Sequence, residues 1–466
     1  MINIILNKNH FCFSVSLLIV LTIFTGCSHK AENLPVAKVA GRVITAEEFA
    51  FAYELAPRSL TNLPSDKARQ VILNQLIDTI TLAREAERQK LDDDPLLLKS
   101  VDFYTRLAIN RELYLKHVRK PVTVAETEER TAFEQRKTTL FVRHFVSGQA
   151  DIAQKVSFGT RQLKHTPLFP GARQVNIPCY GLADRVKWSD MPADVTDLLY
   201  NLPMKKLSVP FFDGRLYHVF QVVEKEREVL LRENEFLANR ESIHGVLRRR
   251  KEQKVASQYV QHVMDPQNVT IKAAALNILT AHIWKNRPTK NTPLTQYISN
   301  EEINTISSDR RDFLNDDIAV FKSGRLTVAD VLLNYKVNPV KISYKSERHL
   351  RESLKNAVGM YARDWVLSEQ GRRERLDRKP SVIAEERSRR EYLLMRKMLA
   401  HLGREFYDQY PDTTNSQERL EKFITDYKAS LCSAEKIHIY RDNLMAVKTT
   451  DESLARKIDF VAFHTQ

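Results

Sequence analysis

A chain of 466 residues with 43% hydrophobic and 28% charged residues, but only 12 glycines, is long enough for several domains and leans towards helix. No two glycines stand closer than ten residues, which excludes phosphate-cradling and dinucleotide loops as local motifs, and the 13 histidines include no His-x-x-x-His pair, so no metal and no cofactor is expected. The formal charge is +14; on an exported chain such a charge points to anionic lipid, polysaccharide or acidic client segments rather than to a nucleic acid.

The amino terminus reads as an export signal. Lys8 precedes an apolar run from Phe11 to Phe24, and Thr25-Gly26-Cys27 follows. The run is too short to span a membrane as a helix and suits a secretory signal over residues 1–26. Its loss takes away one Lys and no acid, leaving +13. The ending resembles a bacterial lipobox, with Phe24 where Leu is usual, which implies acylation of Cys27 and an outer-membrane anchor; a plain signal peptide is the alternative. Of the four cysteines, Cys12 would leave with the signal, and Cys179 and Cys432 remain as one possible disulfide.

Residues 34–57 predict a strand, a turn at Gly41-Arg42 and a helix opened by a capping box, Thr45 with Glu48. A second helix follows Ser65 with Ile72, Leu76, Ile77 and Ile80 on one face, and a third runs from about Pro95 to His117. From 139 to 226 the pattern changes. "TLFVRHFVSG" predicts a strand leading to a helix, Pro192, Val195, Leu198 and Leu199 predict a short helix stopped at Pro203, and Asp213-Gly214 joins two alternating strands. The sum is a β-α-α-β-β unit.

This unit resembles the parvulin-type peptidyl-prolyl isomerases. The likeness rests on His144 in the first strand, Gly181-Leu182, Met191 at a helix start and the closing Tyr217-His218-Val219-Phe220, with "CYGLAD" standing for the family's longer glycine-rich run. It implies a proline cup of Leu182, Met191 and Val195, shallower because Val195 stands where an aromatic residue is common. It also implies a catalytic histidine pair, His144 and His218, whose work is to hold the shape of the site. A third polar member is expected near Arg173. The preceding strand and three helices, 34–138, resemble the amino-terminal chaperone domain of SurA-like periplasmic foldases.

A long helical pattern with Phe236, Ile243, Leu247, Val255 and Tyr259 near one stripe opens a return helix and extension, 228–284, and the Pro-, Asn-, Thr- and Ser-rich stretch 285–315 reads as a linker. Residues 316–402 then repeat 34–120. Leu326-Thr327 stands for Ile44-Thr45, offset by 282, and "LSEQGRRERLDRKP" for "LAREAERQKLDDDP", offset by 285. The tail 403–466 adds a strand signal at Ile437 to Tyr440. The expected fold class is therefore α+β, predominantly helical, with a SurA-like amino-terminal domain, an inserted parvulin-like domain and a second SurA-like repeat. The resemblances imply an isomerase assisting the folding of exported or outer-membrane proteins. Its partners would be unfolded or proline-containing polypeptides and, through lipid, the membrane on the periplasmic side. The alternative is a catalytically inactive chaperone or envelope assembly factor on the same scaffold.

Overall fold

A computed structural model describes residues 34–61, 64–213, 215–228, 233–287, 295–309, 312–410 and 416–448. The expected signal segment, Cys27 and Gly214 lie outside the described residues. The fold is α+β and mostly helical. The chain divides into two compact units, residues 114–261 on the one hand and the segments before and after them on the other.

Strand β1 (Pro35–Val39) turns into β2 (Arg42–Thr45) through Ala40 and Gly41, both at positive φ, 46° and 93°. This is the geometry of a two-residue turn that follows the twist of its strands. The Thr45 hydroxyl accepts the Glu48 backbone N–H at 3.2 Å and caps the helix Ala46–Leu55. The Glu48 carboxylate goes to Arg42 at 3.0 Å instead of closing the expected box. The helix Ser65–Arg88 buries Ile72, Leu73, Ile77 and Ile80 against the hairpin, with Leu76 half-buried at the margin of that face. Lys90 adopts a left-handed φ of 58°, and the helix Pro95–Tyr114 follows, widening into five-residue turns over Leu115–Arg119.

The unit 114–261 holds a five-stranded antiparallel sheet of β3 (Thr138–Ser147), β4 (Arg173–Ile177), β5 (Gly181–Val186), β6 (Phe211–Phe212) and β7 (Tyr217–Arg227) in the order β4-β5-β3-β7-β6. With the helices Ala150–Ser157 and Ala193–Asn201, the observed order is β-α-β-β-α-β-β, so the expected β-α-α-β-β lacked the hairpin β4-β5. That hairpin carries little apolar alternation because β4 is a largely exposed edge. Its turn depends on Cys179 and Gly181 at φ 68° and 76°, and nothing in Cys179 announces a positive φ. The compact unit is also wider than 139–226. Ala132 and Phe133 of the helix Glu126–Arg136 share a core with Trp188 and with Phe236 and Ile243 of the helix Glu233–Met264.

Pairing fixes the two faces of the sheet. Val142 opposite Asp184 and Val222, His144 opposite Phe220, and Val146 opposite His218 lie on one face, and Leu140, Val142, Val186, Met191, Leu199, Phe220 and Val222 form its core. Phe145 and Val219 lie on the other face, under Ala153 and Val156 of the helix Ala150–Ser157.

After this unit come β8 (Thr270–Ile271), the helix Ala273–Lys285, β9 (Thr295–Gln296) and the helix Asn300–Asp309. The expected linker 285–315 thus contains a strand and a helix among its described residues. Ile298, Ile303, Ile306 and Phe313 are buried, and the helical spacing of the two central isoleucines outweighs the polar composition around them. Strands β10 (Asp317–Phe321) and β11 (Gly324–Thr327) then open the second copy. The helix Val328–Val337, the strand β12 (Ile342–Ser343), and the helices Glu347–Arg373 and Pro380–Gln409 complete it. Its backbone follows the first copy closely. Both hairpins bulge at equivalent points, between Pro35 and Ala37 and between Asp317 and Ala319. Thr327 caps as Thr45 does, and Arg375 takes the left-handed conformation of Lys90 at φ 60°. The offset grows from 282 to 285 because the middle helix has 27 residues in the second copy and 24 in the first.

The two copies exchange their closing strands. The helix Ser416–Ala434 leads to β13 (Ile437–Ile439), which pairs with β1, Ala37 opposite Ile439; β8 pairs with β10, Ala319 opposite Ile271. Ala37 and Ala319 are equivalent positions, so each copy's sheet is closed by a strand that follows the third helix of the other copy. The third helices are exchanged as well. Leu394, Met398 and Leu402 of Pro380–Gln409 pack on Leu82, Ala83 and Ala86, and Gly371 faces Ile109 of Pro95–Tyr114.

Candidate active site

Strands β3 and β7 pair side by side at the centre of the sheet, and this register brings together two histidines 74 positions apart. His144 Nε2 lies 2.9 Å from His218 Nδ1, with the ring planes 4° apart. The Phe220 ring lies 12° from the plane of His144, and Phe211 flanks His218 across β6-β7. His144 is 3% exposed. Burial, then the neighbouring His218, lowers its pKa from 6.5 to about 4, so its ring is neutral at physiological pH.

Three further residues, none anticipated from the sequence, hold this pair. The segment around His165 crosses β3 and is laced to His144 at three points. His144 Nδ1 donates to the Thr166 carbonyl at 3.0 Å, the Thr166 N–H donates to the His144 carbonyl at 2.8 Å, and the His144 N–H donates to His165 Nδ1 at 3.1 Å. His165 therefore carries its proton on Nε2, which meets Asp184 Oδ1 at 3.2 Å. Asp184 is fully buried, and its other oxygen accepts the Leu168 N–H at 2.6 Å. A buried carboxylate with both oxygens engaged fixes the loop over the sheet. At the opposite end, Asp213 in the β6-β7 turn accepts the N–H groups of Arg215 and Leu216 at 2.8 Å, and its second oxygen lies 3.1 Å from His218 Nε2. Those two backbone donors lead the lowering of its pKa to about 2.

The remaining expected residues divide. Met191 and Val195 join the core that contains Phe220, with Met191 only 5% exposed, whereas Leu182 on β5 is 51% exposed and outside that core. Arg173, near which a third polar member was expected, pairs with Arg185 opposite Phe141, on the face away from the histidines. Asp184 and His165 supply the polar support instead. The signal that could have led to them is an acid three residues after Gly181, at a buried strand position where alternation calls for an apolar side chain. Cys179 and Cys432 are free thiols. Among the described residues no cluster of His, Cys, Asp or Glu is arranged to hold a metal ion, and no helix is long and apolar enough to cross a membrane.

No protein-family model and no curated protein matches this sequence. Among solved structures, the chain is similar to one described with PEB4 and Cj1289, two structurally related SurA-like chaperones of Campylobacter jejuni. The likeness has 20% identity and a TM-score of 0.24 over 51% of this chain and 100% of that one. A second structure under the same description gives 13% identity and a TM-score of 0.16 over 50% of this chain and 97% of that one. The peptidylprolyl isomerase PrsA of Bacillus cereus gives 16% identity and a TM-score of 0.20 over 48% of this chain and 86% of that one.

Proposed function

We propose that this chain is an extracytoplasmic foldase, in which the unit 114–261 carries a parvulin-type peptidyl-prolyl isomerase site and the duplicated helical unit binds unfolded clients. The observation that carries this reading is the His144–His218 contact at 2.9 Å, on adjacent strands beside the apolar core of Phe220, Met191 and Val195. Rotation about an Xaa-Pro bond is opposed by a barrier of about 18–20 kcal/mol because it breaks amide resonance. Lowering it takes only a surface that binds the twisted, less conjugated amide better than the planar one. The nitrogens of both histidines face partners within the protein: Thr166, each other and Asp213. They act as the frame of such a surface, not as acid or base towards the peptide. The chain is further taken to be lipid-anchored through Cys27, at the periplasmic face of the outer membrane.

A second reading, a client-binding module without catalysis, is favoured by Met191. Its side chain is built into the core, and Leu182 stands apart from it, so the proline cup is shallow. The two readings separate on the soluble chain from Ser28. A protease-coupled assay on several Xaa-Pro peptides should show acceleration that falls in Leu182→Ala and His218→Ala. Suppression of client aggregation without any acceleration would leave the binding module.

A further inference from the structure

The helix Ala193–Asn201, which carries Val195 of the proposed cup, is held at both ends by a cation from another element. At its exit Lys225 of β7 donates to the carbonyls of Tyr200 at 3.1 Å and Leu202 at 3.4 Å. A cation there follows the helix dipole. At its entry stands Arg250 of the helix Glu233–Met264, one turn beyond Val246 and Leu247, on the side of that helix that packs against the core of Trp188. Its guanidinium lies 4.3 Å from the centre of the Trp188 ring. Its Nη2 donates to the Trp188 carbonyl at 3.1 Å, reaches the Met191 carbonyl at 3.4 Å and lies 3.5 Å from the buried Thr196 hydroxyl. Among the described residues no carboxylate pairs with Arg250. Burial lowers its pKa, and the field of Asp197 offsets this only in part. A cation beside a helix start opposes the dipole as well. What holds the arginine in this unfavourable place is what it bonds: the carbonyls on either side of the short turn Trp188–Asp190, at the step into the helix.

We propose that Arg250 is a positioning residue for the isomerase site: from the helix Glu233–Met264 it fixes the backbone from Trp188 to Met191, and with it the place of Met191 and Val195 against Phe220. These three side chains share one apolar core, and the Phe220 ring is centred 5.1 Å from that of His144. A shift at the helix entry would move one wall of the cup relative to the histidine pair. Misplacement by about 1 Å can cost on the order of a hundredfold in rate. Arginine suits the position because its flat guanidinium can stack on an indole and still donate in its own plane, whereas lysine keeps the charge without the face. As an account of isomerisation this rests on the reading given above; as an account of what sets the backbone at Met191 it does not.

The test compares the soluble chain from Ser28 with Arg250→Met, which keeps the apolar stem, and Arg250→Lys, which keeps the charge. The first readout is kcat/KM for Xaa-Pro peptides per folded molecule. It should fall by about tenfold or more in Arg250→Met and recover in part in Arg250→Lys; with an active parent, equal values in all three overturn the proposal. The second readout is amide hydrogen exchange. The Thr196 N–H, bonded to the Pro192 carbonyl at 2.9 Å, should exchange about tenfold faster in Arg250→Met while the amides of β3 keep their rates. Unchanged exchange at Thr196 overturns the proposal, and so does equal acceleration along β3, which marks a general loss of stability. A parent that does not isomerise proline peptides sinks the isomerase reading, and exchange at Thr196 then decides alone whether Arg250 sets this backbone. Should Arg250→Met not fold, the guanidinium NMR signals of the parent decide. Slow rotation of the Arg250 Nη groups, shifted by the Trp188 ring, is expected, and a freely rotating guanidinium overturns the proposal.

Discussion

The two copies of the strand-hairpin and helix unit keep the same order of elements, and differ in their side chains and in the turn of the hairpin. Bulge, threonine cap and left-handed residue recur at matching positions, but the local chemistry has diverged. Thr327 and Asp330 close a full capping box, whereas Glu48 is drawn to Arg42, which also meets Glu391 at 2.8 Å. The first hairpin turns through Ala40 at φ 46°, while at the equivalent Lys322 no residue takes a positive φ. Where the exchanged helices cross, Ala86 against Leu394 in one copy answers Gly371 against Ile109 in the other. A duplicated fold thus conserves its bulge, its helix cap and its helix join and lets volume drift, provided that the drift at one contact is matched across it.

The largest effect expected from this comparison is at the first crossing. Leu394 is 1% exposed, and Leu394→Ala should cost about 2–5 kcal/mol by the transfer and cavity terms together, measured by chemical unfolding. The inserted unit supplies a contrast of another kind. His144 is neutral in the fold, and its lowered pKa means that the unfolded chain takes up a proton first as pH falls. Stability is therefore unaffected well above 6.5 and is lost as pH falls from 6.5 towards 4. The total is about 3 kcal/mol, at 1.36 kcal/mol per pH unit of separation. Hydrogen exchange along β3 should report this loss in the parent and not in His144→Asn; an equal pH dependence in both would place it elsewhere.

At the second crossing, a Cβ on Gly371 would come within 2.3 Å of Ile109 Cγ2. Gly371→Ala should cost about 1–3 kcal/mol as overpacking, and combined with Ile109→Ala, which removes the Cγ2 that the new methyl meets, it should cost less than the sum of the two single changes. Additive costs would mean that the crossings are not equivalent. The smallest change is a gain. Ala40→Gly relieves a left-handed alanine and should stabilise the first hairpin by roughly 1 kcal/mol, whereas Lys322→Gly should only destabilise the second.

The sequence was most legible where backbone constraints repeat. Thr45 and Thr327, Leu91 and Leu376, Pro95 and Pro380 mark a helix start or the join between two helices, and such positions tolerate few residue types. It was least legible where partners come from afar. The hairpin β4-β5 is an exposed edge without alternation, and its turn rests on a cysteine with positive φ. Residues 285–315 looked like a linker because their polar residues outnumber Ile298, Ile303 and Ile306, although it is those isoleucines that enter the core. At the candidate site His144 and His218 could be named from strand patterns and resemblance. Asp184 leaves one trace, an acid where strand alternation calls for an apolar residue; His165 leaves none and Asp213 reads only as a turn residue, since their roles come from contacts that only the folded sheet creates. The closing strands β8 and β13 fall in the same class. Nothing in either segment tells which hairpin it will join.

The most direct test of the central claim, that the unit around His144 and His218 isomerises Xaa-Pro bonds, is exchange NMR on a proline peptide with substoichiometric soluble chain from Ser28. Cis–trans exchange cross-peaks should appear with the parent and weaken with Leu182→Ala. Exchange indistinguishable from the free peptide across several residues preceding proline would contradict it.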